Sequence, residues 1–442
     1  MKRLHLLFAI AANPILLLAQ SPEPIRLSLK QAVDLALAPD ASARIDLANQ
    51  LIEQSRTRAN QARAALLPNV DATVAGQNFT RNLAAFGVRS PVPGVAFPEI
   101  VGPLTVFDGR ATLTQTVFDF AAITRWKAAK AAIDTARSEE EAARNDTAEQ
   151  VARAYMATLR ASAALDAARA NLDLSEANAA LAERRKNAGT ATGIDVTRAQ
   201  VQAANDRQRL LAATHVRRRA ELVLLRAIGA GMEVAVVDLT DTLQYTPPDP
   251  VPVDEAIGVA LDARADLRVQ RRRQTAAALS YDAIRAERYP SIAAFADAGN
   301  IGLSLGETRF TRTLGLSLRV PLFDGGRRDA RRAEASIAIR QEAIRERDIR
   351  RQIELEVRSA FEDLASAGGQ VKVAEEGLTL ANRELEQARR RFDAGVAPGI
   401  EPIDAQTRVA RARANRDDAL YLHNLAKIEL AAATGTIRKV IQ

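Results

Sequence analysis

One Gly-rich segment occurs twice in this chain of 442 residues, each time between long stretches rich in Ala and Arg. The copies are AGTATGIDVTRAQ at 188–200 and AGVAPGIEPIDAQ at 394–406. Strong helix formers fill the stretches before them, roughly 121–187 and 326–393. A helix of that length measures on the order of 100 Å and must pack in a coiled coil. Each Gly-rich turn is therefore expected to be the tip of a very long helical hairpin.

Other features recur in the same order in the two halves. The matched residues are Phe118 and Phe323, Asp119 and Asp324, and Gly229 and Gly435. We therefore expect an internal tandem duplication, with repeats at 21–240 and 241–442 that form one structural unit. The Pro-rich segment TPPDPVPV at 246–253 is expected to join them.

Each half also carries segments in which apolar and polar residues alternate. VDATVAG at 70–76 and TLGLSLRVPL at 313–322 place apolar side chains at every second position. This pattern is typical of strands with one apolar face. Partner strands are expected near 111–119 and 291–299, where the alternation is less regular.

A proline marks the change from helix to strand in each half. Pro68 and Pro290 are expected to end the preceding helices, because proline lacks an N–H and crowds the turn before it. The first strand pair encloses a long loop, roughly 78–110, that contains Pro and Gly. Long loops are typical of the extracellular end of a barrel, so the helices should extend on the periplasmic side.

The four predicted strands cannot close a barrel within one chain, and lipid does not tolerate open strand edges. Three chains would supply twelve strands, which lies within the known range of bacterial outer-membrane barrels. The predicted fold is thus an α+β membrane protein. Its long antiparallel α-helical hairpins form an α-barrel, and its strands contribute to a trimeric 12-stranded outer-membrane β-barrel.

The N-terminus carries the features of an export signal at residues 1–20. Lys2 and Arg3 precede a mostly apolar segment that is too short and interrupted to span a membrane permanently. The chain has no cysteine, which excludes disulfides, thiolate metal ligands, Cys nucleophiles and lipid attachment at a Cys.

The net charge of +7 does not indicate nucleic-acid binding, because basic and acidic residues alternate at helical spacing. The three histidines, His5, His215 and His423, are too scattered to bind a metal. We identify no catalytic residue, no cofactor and no metal site. The chain is therefore not expected to be an enzyme.

The ordered set of features resembles the TolC family of outer-membrane efflux proteins. The shared motifs are LPNVDA and YPSIAA before the strands, TVFD and PLFDGG after them, and R-[YF]-x-x-G at the second tip, here Arg391 to Gly395. The resemblance covers essentially the whole mature chain. It implies a homotrimer that passes through outer-membrane lipid and extends far into the periplasm as an α-helical tunnel.

The resemblance also implies a function, that of a passive exit duct for efflux. Members dock to a periplasmic adaptor and, through it, to an inner-membrane pump of the RND or ABC type. An exit channel for type I protein secretion is an alternative that the sequence does not separate from small-molecule efflux. A soluble periplasmic coiled-coil scaffold would explain the helices but not the alternating strands.

Two sets of site residues follow from the family's motifs. The tips that dock the adaptor correspond to Arg185, Gly189, Gly193, Arg391, Gly395 and Gly399. The constricted pore entrance corresponds to Glu401, Asp404, Asp195 and Phe392. Phe392 departs from members that use a tyrosine hydroxyl here, so closure should depend on packing or on contacts of the two arginines.

The residues themselves support an acidic entrance. Glu401 and Asp404 are three apart, so both can lie on one helix face. Threefold symmetry would then produce two carboxylate rings that attract cations. Asp195 fits a helix cap equally well. The cluster Arg327–Arg332, directly after the last strand, fits either contact with anionic lipid or an ordinary solvated helix start.

Overall fold

The computed structural model describes residues 25–87, 98–232, 237–247, 251–397 and 400–441. The predicted signal at 1–20 and part of the predicted joint at 246–253 lie outside the described residues. In the part of the chain that is described, no helix combines the length and apolar character that a membrane span requires.

Two very long helices dominate the structure. α3 spans Phe120–Asn187 and α7 spans Arg327–Asp393, with 68 and 67 residues. Each turns back into a shorter helix, α4 (Gly193–Ala227) or α8 (Ile400–Ala433). The predicted helical hairpins are therefore confirmed, and their long arms begin and end within one residue of the predicted bounds.

The hairpins are extended by two further helices, α2 (Ala43–Ala64) and α6 (Ala265–Ala286). On the side of the tips, α4, α3, α8 and α7 pack in a row. On the side of the sheet, the row is α2, α3, α6 and α7. α3 and α7 thus run through both rows, whereas α2 and α4 share one flank of α3.

The end of α4 lies against the start of α2, and the contact requires a glycine. Gly229 has φ +72°, and a Cβ there would lie 2.1 Å from the carbonyl oxygen of Ala41. The second half has the same arrangement, where a Cβ on Gly435 would lie 3.0 Å from the backbone nitrogen of Arg264. Both glycines therefore allow helices to meet end to end.

Short elements form a layer around the middle of the helices. They are β1 (Ile25–Leu27), α1 (Leu29–Ala36), β4 (Val237–Leu239), α5 (Val253–Ala263) and α9 (Ile437–Ile441). β1 and β4 pair in parallel. The fully buried Tyr155 of α3 donates from its hydroxyl to the Leu27 carbonyl oxygen at 2.9 Å and to the Asp241 carboxylate at 2.7 Å. Burial and the Asp241 contact raise the pKa of this tyrosine.

The sheet has four antiparallel strands in the order β2, β3, β5, β6. β2 spans Asn69–Asn82, β3 Ile100–Asp119, β5 Ser291–Gly302 and β6 Arg309–Arg319. Pro68 and Pro290 each lie immediately before a strand, and the preceding helices end at Ala64 and Ala286.

Two strand predictions were wrong in extent. Both ends of the predicted loop at 78–110 are strand, because β2 continues to Asn82 and β3 begins at Ile100. Weak alternation in this segment concealed its pairing with the neighbouring strand, which continues past a register shift between Phe79 and Arg81. β6 ends at Arg319 rather than at 322, since Pro321 has no N–H to donate to a neighbouring strand.

The register places Val70, Val74, Leu314, Leu316 and Leu318 on one face of the sheet, the apolar face, and Asp71, Thr73, Asp297 and Thr313 on the other, the polar face. Val74 and Leu314, on the apolar face, are 89% and 84% exposed. Within the described residues, β2 and β6 each pair on one side only. The single chain therefore leaves both an apolar face and two strand edges without a partner.

Two arginines of the cluster after β6 form ion pairs with carboxylates of the same chain. Arg328 donates to the Asp324 carboxylate at 2.8 Å, and Arg331 donates to Glu287 at 2.7 Å. The first contact links the start of α7 to the segment after β6, and the second links it to the segment between α6 and β5. They support the interpretation of the cluster as an ordinary helix start at these two positions.

The end-to-end helix contacts can be tested with three glycine variants. Gly229→Ala should destabilise the protein by about 2–4 kcal/mol, because it combines a left-handed backbone with a clash. Gly189→Ala, which has positive φ but open space, should cost about 1–2 kcal/mol. Gly231→Ala has neither problem and serves as the control. Thermal loss of helical circular dichroism measures the order, and equal melting of Gly229→Ala and Gly231→Ala would contradict it.

Candidate functional site

The two hairpin tips share one backbone geometry at the end of the long helix. In the first tip, Gly189 has φ +75°, and the N–H of Thr190 donates to the Arg185 carbonyl oxygen at 2.8 Å. In the second tip, Gly395 has φ +72°, and the N–H of Val396 donates to the Arg391 carbonyl oxygen at 3.0 Å. This glycine-dependent cap satisfies the last helical carbonyls and reverses the chain.

Asp195 caps the returning helix of the first hairpin. Its carboxylate accepts hydrogen bonds from the Thr192 hydroxyl at 2.5 Å and from the Thr192 backbone N–H at 3.0 Å. These two bonds lower the pKa of Asp195. Gly193 is the first residue of α4. The capping alternative for Asp195 is thus observed directly.

The two tips touch through Arg185 and Phe392. The Arg185 guanidinium carbon lies 4.3 Å from the centre of the Phe392 ring, within the range of a cation–π contact. The same guanidinium approaches the Asp393 carboxylate at 3.7 Å. Arg185 is the more buried partner of that pair, with 32% of its side chain exposed. A single arginine of the first hairpin therefore contacts two neighbouring residues of the second.

The two acidic residues of the second tip differ in their surroundings. Glu401 pairs with Arg391 at 3.0 Å and is partly buried. Asp404, one turn further along α8, is exposed, and no ion pair involves it within the described residues. Gly399, the remaining predicted docking residue, lies outside the described residues.

Further contacts between the hairpins follow α3 and α8 away from the tips. The Asn178 amide donates to the Gln406 side-chain oxygen at 2.7 Å. Arg160 pairs with Asp418 at 2.8 Å and lies 5.0 Å from the centre of the Tyr421 ring. These contacts hold α8, the returning helix of the second hairpin, against the half of α3 that leads to the tip.

A cavity of about 370 Å³ opens between the tips. Its lining combines apolar and charged side chains, among them Leu181, Arg185, Asp195, Arg198, Phe392 and Ile403. In the part of the chain that the structure describes, no group of three or more potential ligands could hold a metal ion. The contacts between and within the tips are helix caps, ion pairs and the ring contact of Arg185 with Phe392.

Sequence reasoning identified Arg185 and Phe392 separately but not their contact. It also missed Asp393, Asn178 and Gln406. The contacting residues come from different halves of the chain, so sequence spacing carries no signal for them. Only Glu401 and Asp404, which share one helix, could be placed together from the sequence.

A sequence model described as "Outer membrane efflux protein" matches residues 36–230 and 256–436, which is most of the chain. The chain is 26% identical over 124 residues to "Outer membrane protein TolC" of Vibrio cholerae. That alignment spans 28% of this chain and 28% of the V. cholerae protein.

Solved structures with the same fold cover nearly the whole chain. The Campylobacter jejuni CmeC outer membrane channel matches with a TM-score of 0.78 at 15% identity, over 92% of this chain and 86% of CmeC. The outer membrane protein VceC of Vibrio cholerae matches with a TM-score of 0.74 at 20% identity, over 92% and 96%. The open state of the Neisseria gonorrhoeae MtrE outer membrane channel matches with a TM-score of 0.74 at 17% identity, over 92% and 89%.

The cap at Asp195 can be tested by local hydrogen exchange. Asp195→Ala should destabilise the first turn of α4 by about 1 kcal/mol, which speeds exchange of its amides about fivefold. Since the folded pKa of Asp195 is lowered, the cap's contribution is present above the ordinary aspartate pKa and is lost as pH falls below it. Glu183→Ala removes an exposed carboxylate near the same tip and serves as the control. Unchanged exchange in Asp195→Ala at neutral pH would contradict the assignment.

Proposed function

Because this chain belongs to the outer membrane efflux protein family, we propose that it is an outer-membrane exit duct. It conducts substrates passively from a periplasmic adaptor and an inner-membrane pump to the exterior. The observation that carries the proposal is the sheet, with an exposed apolar face and two unpaired edges, joined to helices about 100 Å long.

A homotrimer would complete both the sheet and the helical rows. Edge strand β6 of one copy would pair with edge strand β2 of the next, which gives a barrel of twelve strands. The helices at the ends of the rows also have apolar side chains that no described element covers. Leu211 on α4 is 69% exposed, and Val373 on α7 is 70% exposed. These uncovered flanks support a tunnel in which a neighbouring copy packs against each of them.

The order of elements from α1 to α4 is repeated from α5 to α8, and the cap at each tip is the same. This supports an origin by tandem duplication, with repeats at 21–240 and 241–442. α3 packs against α6 and α8 of the second half, which supports the proposal that the repeats form one structural unit.

The hairpin tips would form the inner end of the tunnel. Glu401 and Asp404 would then contribute carboxylate rings at the pore entrance, with the Glu401 charge partly compensated by Arg391. The exposed turns at Gly189 and Gly395, with Arg391, are suited to dock the adaptor. Gly399 belongs to the same proposed docking turn.

The contact of Arg185 with Phe392 and Asp393 is proposed to hold the entrance closed. It joins the two hairpins of one chain through a cation–π contact and an ion pair, without the tyrosine hydroxyl found in some relatives. Widening of the entrance would separate α8 from α3 and break this contact.

The choice between a duct and a soluble scaffold can be made by extraction and imaging. A barrel should require detergent and should appear as a threefold particle well over 100 Å long, given the helix lengths. Release by carbonate as a monomer or dimer would favour the scaffold. Small-molecule efflux and type I protein secretion would be separated by the cargo that accumulates in cells lacking the chain.

The proposed latch gives a conductance prediction. Arg185→Ala and Phe392→Leu should raise the conductance of the purified protein in lipid bilayers several-fold, because each removes the cation–π contact. Phe392→Tyr keeps the ring and should behave as the unaltered protein. Arg184→Ala removes the same charge from an exposed neighbouring position and is the matched control. If Arg185→Ala leaves conductance unchanged, the latch is wrong while the duct stands.

A further inference from the structure

A three-residue ion-pair network crosses the middle of the sheet on its polar face. Arg110 of β3 donates to Asp108 of the same strand at 2.9 Å and to Asp297 of β5 at 3.0 Å. All three side chains are partly buried, with exposed fractions of 31% for Arg110, 28% for Asp108 and 18% for Asp297. The network joins the hairpin of the first half to that of the second.

The backbone beside the network leaves room for the arginine. Gly299 is the register partner of Arg110. A Cβ at Gly299 would lie 2.3 Å from the Gly109 carbonyl oxygen and 2.5 Å from the Arg110 Cα. Residue 299 therefore has to be glycine, and β3 and β5 approach closely where Arg110 reaches Asp297.

The same face carries a further carboxylate in the adjoining row of the sheet. Asp71 pairs with Thr112, and Thr112 pairs with Asp297, so both carboxylates lie at one height on either side of Thr112. Arg309 lies on this face near the end of β6, as the partner of Ile301. In the rows that contain Asp71, Arg110 and Asp108, three carboxylates thus face two guanidinium groups. Arg319, the partner of Ser291, lies on the same face but nearer the helices, so the excess negative charge is confined to this middle part of the sheet.

The opposite face identifies this one as the lumen of the proposed barrel. Leu314, Leu316 and Val74 occupy the other face and are strongly exposed. In a barrel that crosses lipid, apolar side chains point outward and polar ones point inward. The network would therefore recur three times around the lumen, at the opposite end of the molecule from the hairpin tips.

We propose that Asp71, Asp108 and Asp297 make the middle of the barrel lumen favour cationic over anionic solutes, and that Arg110 limits this preference. The inference rests on the proposed function, because the lumen exists only in the closed barrel. Rings of carboxylates favour cations in pores generally. Here the arginine offsets part of the negative charge and holds two of the three carboxylates in place.

The absence of cysteine permits a direct measurement of the local potential. Thr112→Cys places one thiol between Asp71 and Asp297. Intact cells would be treated from outside with a trimethylammonium-ethyl or a sulfonatoethyl methanethiosulfonate, and the ratio of the two modification rates compared between variants. The reagents enter from the extracellular side, so the state of the hairpin tips does not affect the result.

The expected changes have opposite signs. Adding Arg110→Gln to Thr112→Cys should raise the cation-to-anion rate ratio about threefold, as expected for one charge roughly 7 Å away in water at moderate salt. Adding Asp297→Asn or Asp71→Asn should lower it by a similar factor. Arg312→Gln is the matched control, because Arg312 lies on β6 but pairs with Ala298 on the apolar face.

Three results would overturn the proposal in distinguishable ways. If Thr112→Cys reacts but its rate ratio does not change in the Arg110, Asp71 and Asp297 variants, the selectivity is wrong and the duct stands. If Leu314→Cys, on the apolar face, reacts as fast as Thr112→Cys, the assignment of lumen and lipid faces fails, and with it the barrel. An unreactive Thr112→Cys would likewise remove the water-filled lumen.

Discussion

The structure depends on two helices that are too long for any single chain of this size to bury. α3 and α7 present several faces along their whole length, and the chain covers only some of them. Alanines fill much of the buried interface, among them Ala148, Ala152 and Ala367. Small side chains let helices approach closely, so the rows are thin and their outer flanks stay open. That geometry supports the proposed assembly of several copies.

The same constraint explains the positions of the special glycines. A row of helices this long can be built only if shorter helices meet end to end and reverse at the tips. Gly229 and Gly435 lie where helix ends touch, and Gly189 and Gly395 lie where the chain turns back. In each case the left-handed backbone, which other residues adopt only with strain, completes the turn.

Both proposed functional constellations lie between the two halves of the chain. Arg185 reaches Phe392 at the tips, and Arg110 reaches Asp297 in the sheet. Each uses an arginine from the first half and residues from the second. Arg185 contacts a ring and a carboxylate, which is suited to a contact that separates and re-forms. Arg110 is held between two carboxylates across paired strands, which is suited to a fixed charge.

The sequence by itself determined the elements, because helix propensity, alternation and Gly or Pro positions are local properties. It located both long helices within one residue and placed Glu401 and Asp404 on one helix. It failed where strand register or a contact between residues distant in the sequence decides the structure. β3 was placed too short because pairing with its neighbours compensates for weak alternation. Arg110 and Asp297 could not be joined from the sequence, since their contact exists only once the strands of the two halves lie side by side.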